Sequence, residues 1–247
     1  MKRVLSILVL IIGAITSSAY SQDPKQIVRK AEDAIKGKSS SHSIVEMTIT
    51  TPDYTRSMKM ESWSIGDSKA LVNILSPARE AGNRTLKLGN DVWMYLRNTE
   101  TTIRIPPSMM LQSWNGSDFT YDDMVREETL VKDYNITIVG TDRLDNIECW
   151  ELQLIPKPNA PVVWGKLLYW VRTIDNLPAQ VEYFDEKGKL MRTMIMSEFR
   201  EMGGRVIPTD WTMYNADKTH STEIVMEKAS FDTRIPNSIF SLRELEK

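Results

Sequence analysis

The chain is 247 residues long, and its 31 Lys and Arg residues nearly balance its 33 Asp and Glu residues, for a formal charge of −2. This composition lacks the clustered basic face of a nucleic-acid-binding protein, so no nucleic-acid partner is expected. Cys149 is the single cysteine. An intramolecular disulfide is therefore excluded, and the fold depends on its hydrophobic core.

The beginning of the chain has the pattern of a secretory signal. Two basic residues precede an apolar run from Val4 to Ile15, and Ala19-Tyr20-Ser21 fits a cleavage site. The apolar run is too short for a comfortable membrane span. We therefore predict a signal peptide over residues 1–21 and one exported, soluble domain over residues 22–247, a size compatible with a single all-β barrel.

An amphipathic helix is predicted at the start of the mature chain. Asp23 can cap this helix, Pro24 suits its first position, and Gly37 follows its last apolar residue. The apolar positions that recur at helical spacing are Ile27, Val28, Ala31, Ala34 and Ile35. The spacing predicts a helix of roughly fourteen residues.

After this helix the sequence changes to the two-residue period of β-strands. One block of short strands precedes residue 106 and a second follows residue 133, with turn residues between the strands of each block. Because no helical pattern separates these strands, a mainly β, antiparallel meander is predicted. Trp63 and Ile65 fall on the opposite parity to Met58 and Met60, which predicts a β-bulge near Ser62.

Several strands are apolar on both parities. In Val92–Leu96, Leu167–Val171 and Met194–Met196 neither face is polar, whereas a sheet with one solvated face should alternate. Either protein covers both faces, or a lipid-like ligand lies within. The 14 methionines and 7 tryptophans fit an adaptable binding surface or a large ordinary core, and composition leaves both interpretations open.

The connector between the two strand blocks, Met109–Met124, is unusually apolar for a loop. Pro106-Pro107 ends the preceding strand, and Asn115-Gly116 supplies a turn. Ser117 or Asp118 is expected to cap a short helix that ends near Met124. This segment is interpreted as a lid folded onto an apolar hollow.

The chain offers little for catalysis. His42 and His220 lie neither beside a nucleophile motif nor beside other metal ligands, so surface positions are expected for both. Asp118, Asp122 and Asp123 suit helix capping better than cation binding. No catalytic residue, metal site or cofactor is therefore predicted, and the chain is not expected to be an enzyme.

The sequence Ser113-Trp114-Asn115-Gly116-Ser117-Asp118-Phe119-Thr120-Tyr121-Asp122-Asp123 resembles the LolA-like family of outer-membrane lipoprotein-sorting proteins. The resemblance extends over the whole region after residue 21. It implies an unclosed antiparallel β-barrel whose concave apolar face is covered by the N-terminal helix and the mid-chain helical lid. It also implies an arginine that hydrogen-bonds the closed lid, for which Arg56 is the candidate.

The resulting hypothesis is a periplasmic carrier that binds acyl chains of lipoproteins or lipids and transfers them between membranes without covalent chemistry. The resemblance implies an inner-membrane exporter or loading complex and an outer-membrane acceptor as partners. The residues predicted to line the cavity are Trp63, Met94, Met110, Trp114, Phe119, Trp170, Met196 and Trp211. The alternative is a periplasmic adaptor with a filled interior, associated with a membrane exporter.

Overall fold

The structure, a computed structural model, describes residues 22–125, 130–160 and 162–247. The predicted signal peptide lies outside these residues. Within them, 13 strands form one sheet in the order β6-β5-β4-β3-β2-β1-β13-β12-β11-β10-β9-β8-β7. All neighbouring strands are antiparallel, and the two end strands, β6 and β7, do not pair with each other. The predicted unclosed, antiparallel, mainly β fold is confirmed.

The elements have the following bounds. The strands are β1 (Ser40–Thr50), β2 (Thr55–Ile65), β3 (Lys69–Ser76), β4 (Arg84–Leu88), β5 (Asp91–Leu96), β6 (Thr101–Arg104), β7 (Tyr134–Leu144), β8 (Ile147–Pro156), β9 (Lys166–Arg172), β10 (Pro178–Phe184), β11 (Leu190–Met202), β12 (Arg205–Asn215) and β13 (Ser221–Phe231). The α-helices are α1 (Pro24–Lys36), α2 (Tyr121–Val125), α3 (Leu130–Asp133) and α4 (Leu242–Leu245). None of the described helices combines the length and apolarity needed to cross a bilayer.

Helix α1 forms as the sequence predicts. The Asp23 carboxylate accepts a hydrogen bond from the Lys25 N–H at 3.0 Å, and Gly37 ends the helix with φ +79°. A left-handed φ suits glycine, which has no Cβ to clash. Ile27 and Val28 are buried against β7, β8 and β9, so α1 covers one face of the sheet. We call this the inner face.

The predicted bulge near Ser62 is wrong. Strands β1 and β2 pair in unbroken register from Ser40 opposite Ile65 to Thr50 opposite Thr55. The register shift occurs instead between β2 and β3, at Lys59/Met60. Trp63 and Ile65 have the opposite parity because they lie on the outer face, which the C-terminal segment covers. This outer cluster also contains Leu71, Leu86, Tyr95, Ile235, Ile239, Phe240 and Leu245.

Strand β9 is apolar on both parities because protein covers both of its faces. Leu167, Tyr169 and Val171 belong to the inner cluster beside α1. Trp170 packs on the outer face with Cys149, which is fully buried. Two separate clusters therefore account for a strand with no polar face.

Candidate functional site

Residues 106–125, the lid segment, lie over the inner face at the end opposite α1. Trp114 is 3% exposed, and its indole N–H donates to the Thr85 hydroxyl at 3.1 Å. The Tyr121 hydroxyl donates to the Met94 sulfur at 3.5 Å. Beneath these rings the sheet contributes Val45, Met47, Ile49, Met58, Met60 and Val72. The lid segment is therefore an apolar cover, as its composition predicts.

Helix α2 is capped by residues other than those predicted. The Thr120 N–H donates to Asp123 Oδ2 at 2.7 Å, and the Asp123 N–H donates to the Thr120 hydroxyl at 3.2 Å. This reciprocal pair is a capping box, and α2 begins at Tyr121. Ser117 instead donates to the Trp114 carbonyl at 2.7 Å. The prediction that Ser117 or Asp118 caps the helix is wrong.

Asp118 fastens the lid segment to strand β13. Its backbone N–H donates to the Thr222 hydroxyl at 2.8 Å, and that hydroxyl donates to Asp118 Oδ2 at 2.7 Å. Thr222 is fully buried. One hydroxyl group thus serves as both acceptor and donor for the same lid residue.

Thr222→Val is expected to lower the free energy of unfolding by about 1–2 kcal/mol, because valine keeps the volume but leaves the two Asp118 groups without partners. Urea denaturation followed by tryptophan fluorescence measures this change. Thr219→Val is the matched control, since the Thr219 hydroxyl bonds Asp217 at 2.7 Å in an exposed turn. Equal effects of the two substitutions would contradict a specific role for Thr222.

Arg192 on β11 makes the second attachment of the lid segment. Its guanidinium donates to both Asp123 oxygens, at 2.8 and 2.5 Å, and to the Asp118 carbonyl at 3.2 Å. The guanidinium also lies over the Trp164 and Tyr183 rings, 4.5 and 4.3 Å from their centroids, and these two rings contact each other edge to face. Burial raises the pKa of Tyr183 to about 12, although Arg192 opposes this shift. Both rings therefore face a cation that is itself almost fully buried.

Arg56, the candidate lid-binding arginine, does contact the lid segment. One of its Nη atoms donates to the Asn115 carbonyl, and the other donates to Glu80 at 3.2 Å. Sequence reasoning missed Arg192. The available indication was a charged residue on the same strand parity as Met196, a position predicted to line the cavity.

A cavity of about 340 Å³ lies on the inner face between α1 and the lid segment. Apolar side chains form most of its wall. They include Val45, Met47, Met60, Trp114, Phe119, Val181, Met194, Met196, Trp211, Met213, Ile224 and Met226. Polar groups lie mainly near α1, where Glu32, Lys36 and four serines of β1 and β2 reach the cavity.

The structure brings four of the eight predicted lining residues to this cavity: Trp114, Phe119, Met196 and Trp211. Met94 and Met110 pack in the cluster beneath the lid segment and do not reach the cavity wall. Trp63 and Trp170 lie on the outer face, so their predicted position in the same hollow is wrong. Trp63 stacks on His42 there, with ring centroids 5.3 Å apart.

Glu32, a residue of the cavity wall, is a titratable group whose pKa burial shifts strongly. Desolvation by burial raises the pKa of Glu32 from 4.5 to about 7, although Lys36 and a backbone hydrogen bond from Leu130 oppose the shift. One carboxylate oxygen, Oε1, is buried without a hydrogen-bond partner. Burial also raises the pKa of the neighbouring Tyr169 well above its ordinary value, and Glu32 adds to that shift.

The open antiparallel sheet, the apolar cavity, the helix and the lid segment agree with what the resemblance to LolA-like proteins implies. A family model with the description "Uncharacterized protein" matches residues 66–247. The chain belongs to this family, and the resemblance to LolA-like proteins found in the sequence is confirmed.

Solved structures with this fold are similar to most of the chain. A DUF1329 family protein from Desulfovibrio piger has 22% identity and a TM-score of 0.81, covering 90% of this chain and 99% of that one. An outer membrane lipoprotein-sorting protein domain from Vibrio parahaemolyticus has 19% identity and a TM-score of 0.78, covering 91% and 98%. A LolA superfamily protein from Nitrosomonas europaea has 22% identity and a TM-score of 0.75, covering 90% and 98%. No curated protein matches the chain.

Proposed function

We propose that this protein is a periplasmic carrier that holds acyl chains of lipids or lipoproteins in its inner cavity and transfers them between membranes without covalent chemistry. The observation that carries the proposal is a mostly apolar cavity of about 340 Å³ between a helix and a fastened lid segment. Small-molecule sites fall in the range of about 300–1,000 Å³. The signal-peptide pattern at residues 1–21 supports export.

The energetics of the cavity suit exchange with a membrane. Burying an alkyl chain of about ten methylenes contributes ~8 kcal/mol relative to water, before the costs of opening the lid and ordering the chain. A bilayer offers a similar gain, so movement between the two needs little net free energy. Partners at each membrane, such as a loading complex and an acceptor, would then set the direction of transfer.

The cavity favours the carrier over the adaptor. An adaptor needs a filled interior and a partner-binding surface, whereas Trp114, Phe119, Met196 and Trp211 surround unfilled space. The lid segment covers this space only in part, because Met109 and Met110 pack against the sheet instead. Cargo would therefore lie beside Trp114 and Phe119, towards α1.

Filling the cavity provides the test. Ala229 lines the cavity from β13, and a phenylalanine ring at this position would displace about two methylenes of a bound acyl chain. Ala229→Phe is therefore expected to weaken uptake of a fluorescent fatty acid by about tenfold or more. Ala216→Phe, the same change in an exposed turn, is the control. Uptake is measured by fluorescence titration and by native mass spectrometry of the loaded protein. The carrier proposal fails if the unmodified protein takes up no acyl chain by either method.

A further inference from the structure

The inner faces of β1 and β2 change chemistry along their length. From the α1 end, the inward positions of β1 are Ser41 and Ser43, followed by the apolar Val45, Met47 and Ile49. Strand β2 runs antiparallel and shows the same order, with Ser64 and Ser62 followed by Met60 and Met58. The wall is thus polar near α1 and apolar beneath the lid segment.

The four serines form two cross-strand pairs inside the cavity. Ser41 and Ser64 have their hydroxyl oxygens 2.7 Å apart, and Ser43 and Ser62 have theirs 2.7 Å apart. Each pair has two hydroxyl hydrogens, and only one of them takes part in the hydrogen bond between the two serines. Among the described residues these hydroxyls make no other hydrogen bond, so each pair retains a donor for a group in the cavity.

Glu32 adds a second polar feature at the same end of the cavity. Its Oε1 atom is buried, has no hydrogen-bond partner and belongs to a residue of the cavity wall. A buried oxygen without a partner is costly, and this carboxyl makes the wall near α1 polar without presenting that oxygen to the cavity. The hydrogen-bond donors that this end offers to a ligand come from the serines.

The charges of the wall select against an anionic ligand. The charged side chains among the described lining residues are Glu32, Lys36, Asp122 and Asp123. Arg192 neutralises Asp123, and Lys36 lies near Glu32. These groups provide no surplus of positive charge for a phosphate or carboxylate, whose desolvation in the cavity would remain uncompensated.

We infer that this cavity is a two-part site for an uncharged acylglycerol-type amphiphile, an inference that rests on the proposed carrier function. The paired serines hydrogen-bond an ester carbonyl of the ligand. The acyl chain extends along β1 and β2 towards Trp114 and Phe119. A free acylglycerol and the diacylglyceryl group of a lipoprotein share this ester and glyceryl chemistry.

The test compares two ligands that differ only in the head group. Monolauroylglycerol and dodecane are titrated against the protein by displacement of the uncharged dye 1-aminoanthracene. In the Ser41→Ala/Ser43→Ala/Ser62→Ala/Ser64→Ala variant, monolauroylglycerol is expected to bind about tenfold more weakly, with dodecane unaffected. The matched control is Thr48→Ala/Ser57→Ala, which removes a cross-strand hydroxyl pair, 2.9 Å apart, from the exposed face of the same strands.

The outcomes separate this inference from the carrier proposal. Binding of both ligands with no effect of the serine substitutions would overturn the head-group site and leave the carrier intact. No displacement by either ligand would overturn both. Tighter binding of lauroyl lysophosphatidate than of monolauroylglycerol would overturn the preference for an uncharged head. Palmitoylated glyceryl-cysteine peptides, compared with monopalmitoylglycerol, distinguish the lipoprotein source from a free lipid.

Discussion

Replacing Arg192 with methionine is expected to destabilise the closed position of the lid segment by about 3 kcal/mol, because the Asp123 carboxylate would stay largely buried without its cation. Methionine keeps much of the apolar volume that packs on Trp164 and Tyr183. Amide hydrogen exchange across residues 114–123 is therefore expected to accelerate by about a hundredfold, while exchange in β1 and β13 changes little. The measurement is exchange followed by mass spectrometry.

A double-mutant cycle isolates the ion pair. Asp123→Asn is expected to accelerate hydrogen exchange of the same amides. In the Arg192→Met/Asp123→Asn variant, the destabilisation of the closed lid segment is expected to be smaller than the sum of the two single effects. Arg200→Met, which removes an arginine from an exposed pair with Glu198, is the control. Unchanged exchange in the lid segment of Arg192→Met would show that Thr222 and Arg56 hold the segment without Arg192.

The features predictable from sequence were those set by local chemistry. The start and end of α1 follow from Asp23, Pro24 and Gly37, because the backbone conformation at each end of a helix depends on residues within one turn. The antiparallel sheet follows from short alternating strands without intervening helices. The apolar cover follows from the many large apolar side chains around Trp114, because a solvent-exposed loop is not expected to be so rich in them.

The features that sequence missed depend on which distant segments cover each face. Alternation separates Trp63 from Met60 but does not say which of the two faces inward, because both faces of β2 are buried. The C-terminal segment around Phe240 decides this, and its position is a matter of tertiary packing. Arg192 lies 69 residues from Asp123 in the chain, so no spacing rule connects them.

Protonation of Glu32 gives a pH-dependent stability with a defined sign. The pKa of this carboxyl is raised from 4.5 to about 7 in the folded protein, mainly by desolvation. Between these values the folded state keeps a proton that the unfolded state has released, so stability falls as pH rises through this window. The loss approaches about 3 kcal/mol above pH 7 and is absent below pH 4.5.

Glu32→Gln keeps the acceptor for the Leu130 backbone and removes the titration. The variant is therefore expected to be more stable than the unmodified protein at pH 8, by up to about 3 kcal/mol, and to lose most of this advantage at pH 5. Urea unfolding at pH 5, 6, 7 and 8 measures the difference. Asp53→Asn, an exposed carboxylate in the turn between β1 and β2, is the control. A difference between Glu32→Gln and the unmodified protein that stays constant from pH 5 to pH 8 would mean that Glu32 ionises freely at the cavity wall, with water reaching the end of the cavity beside α1.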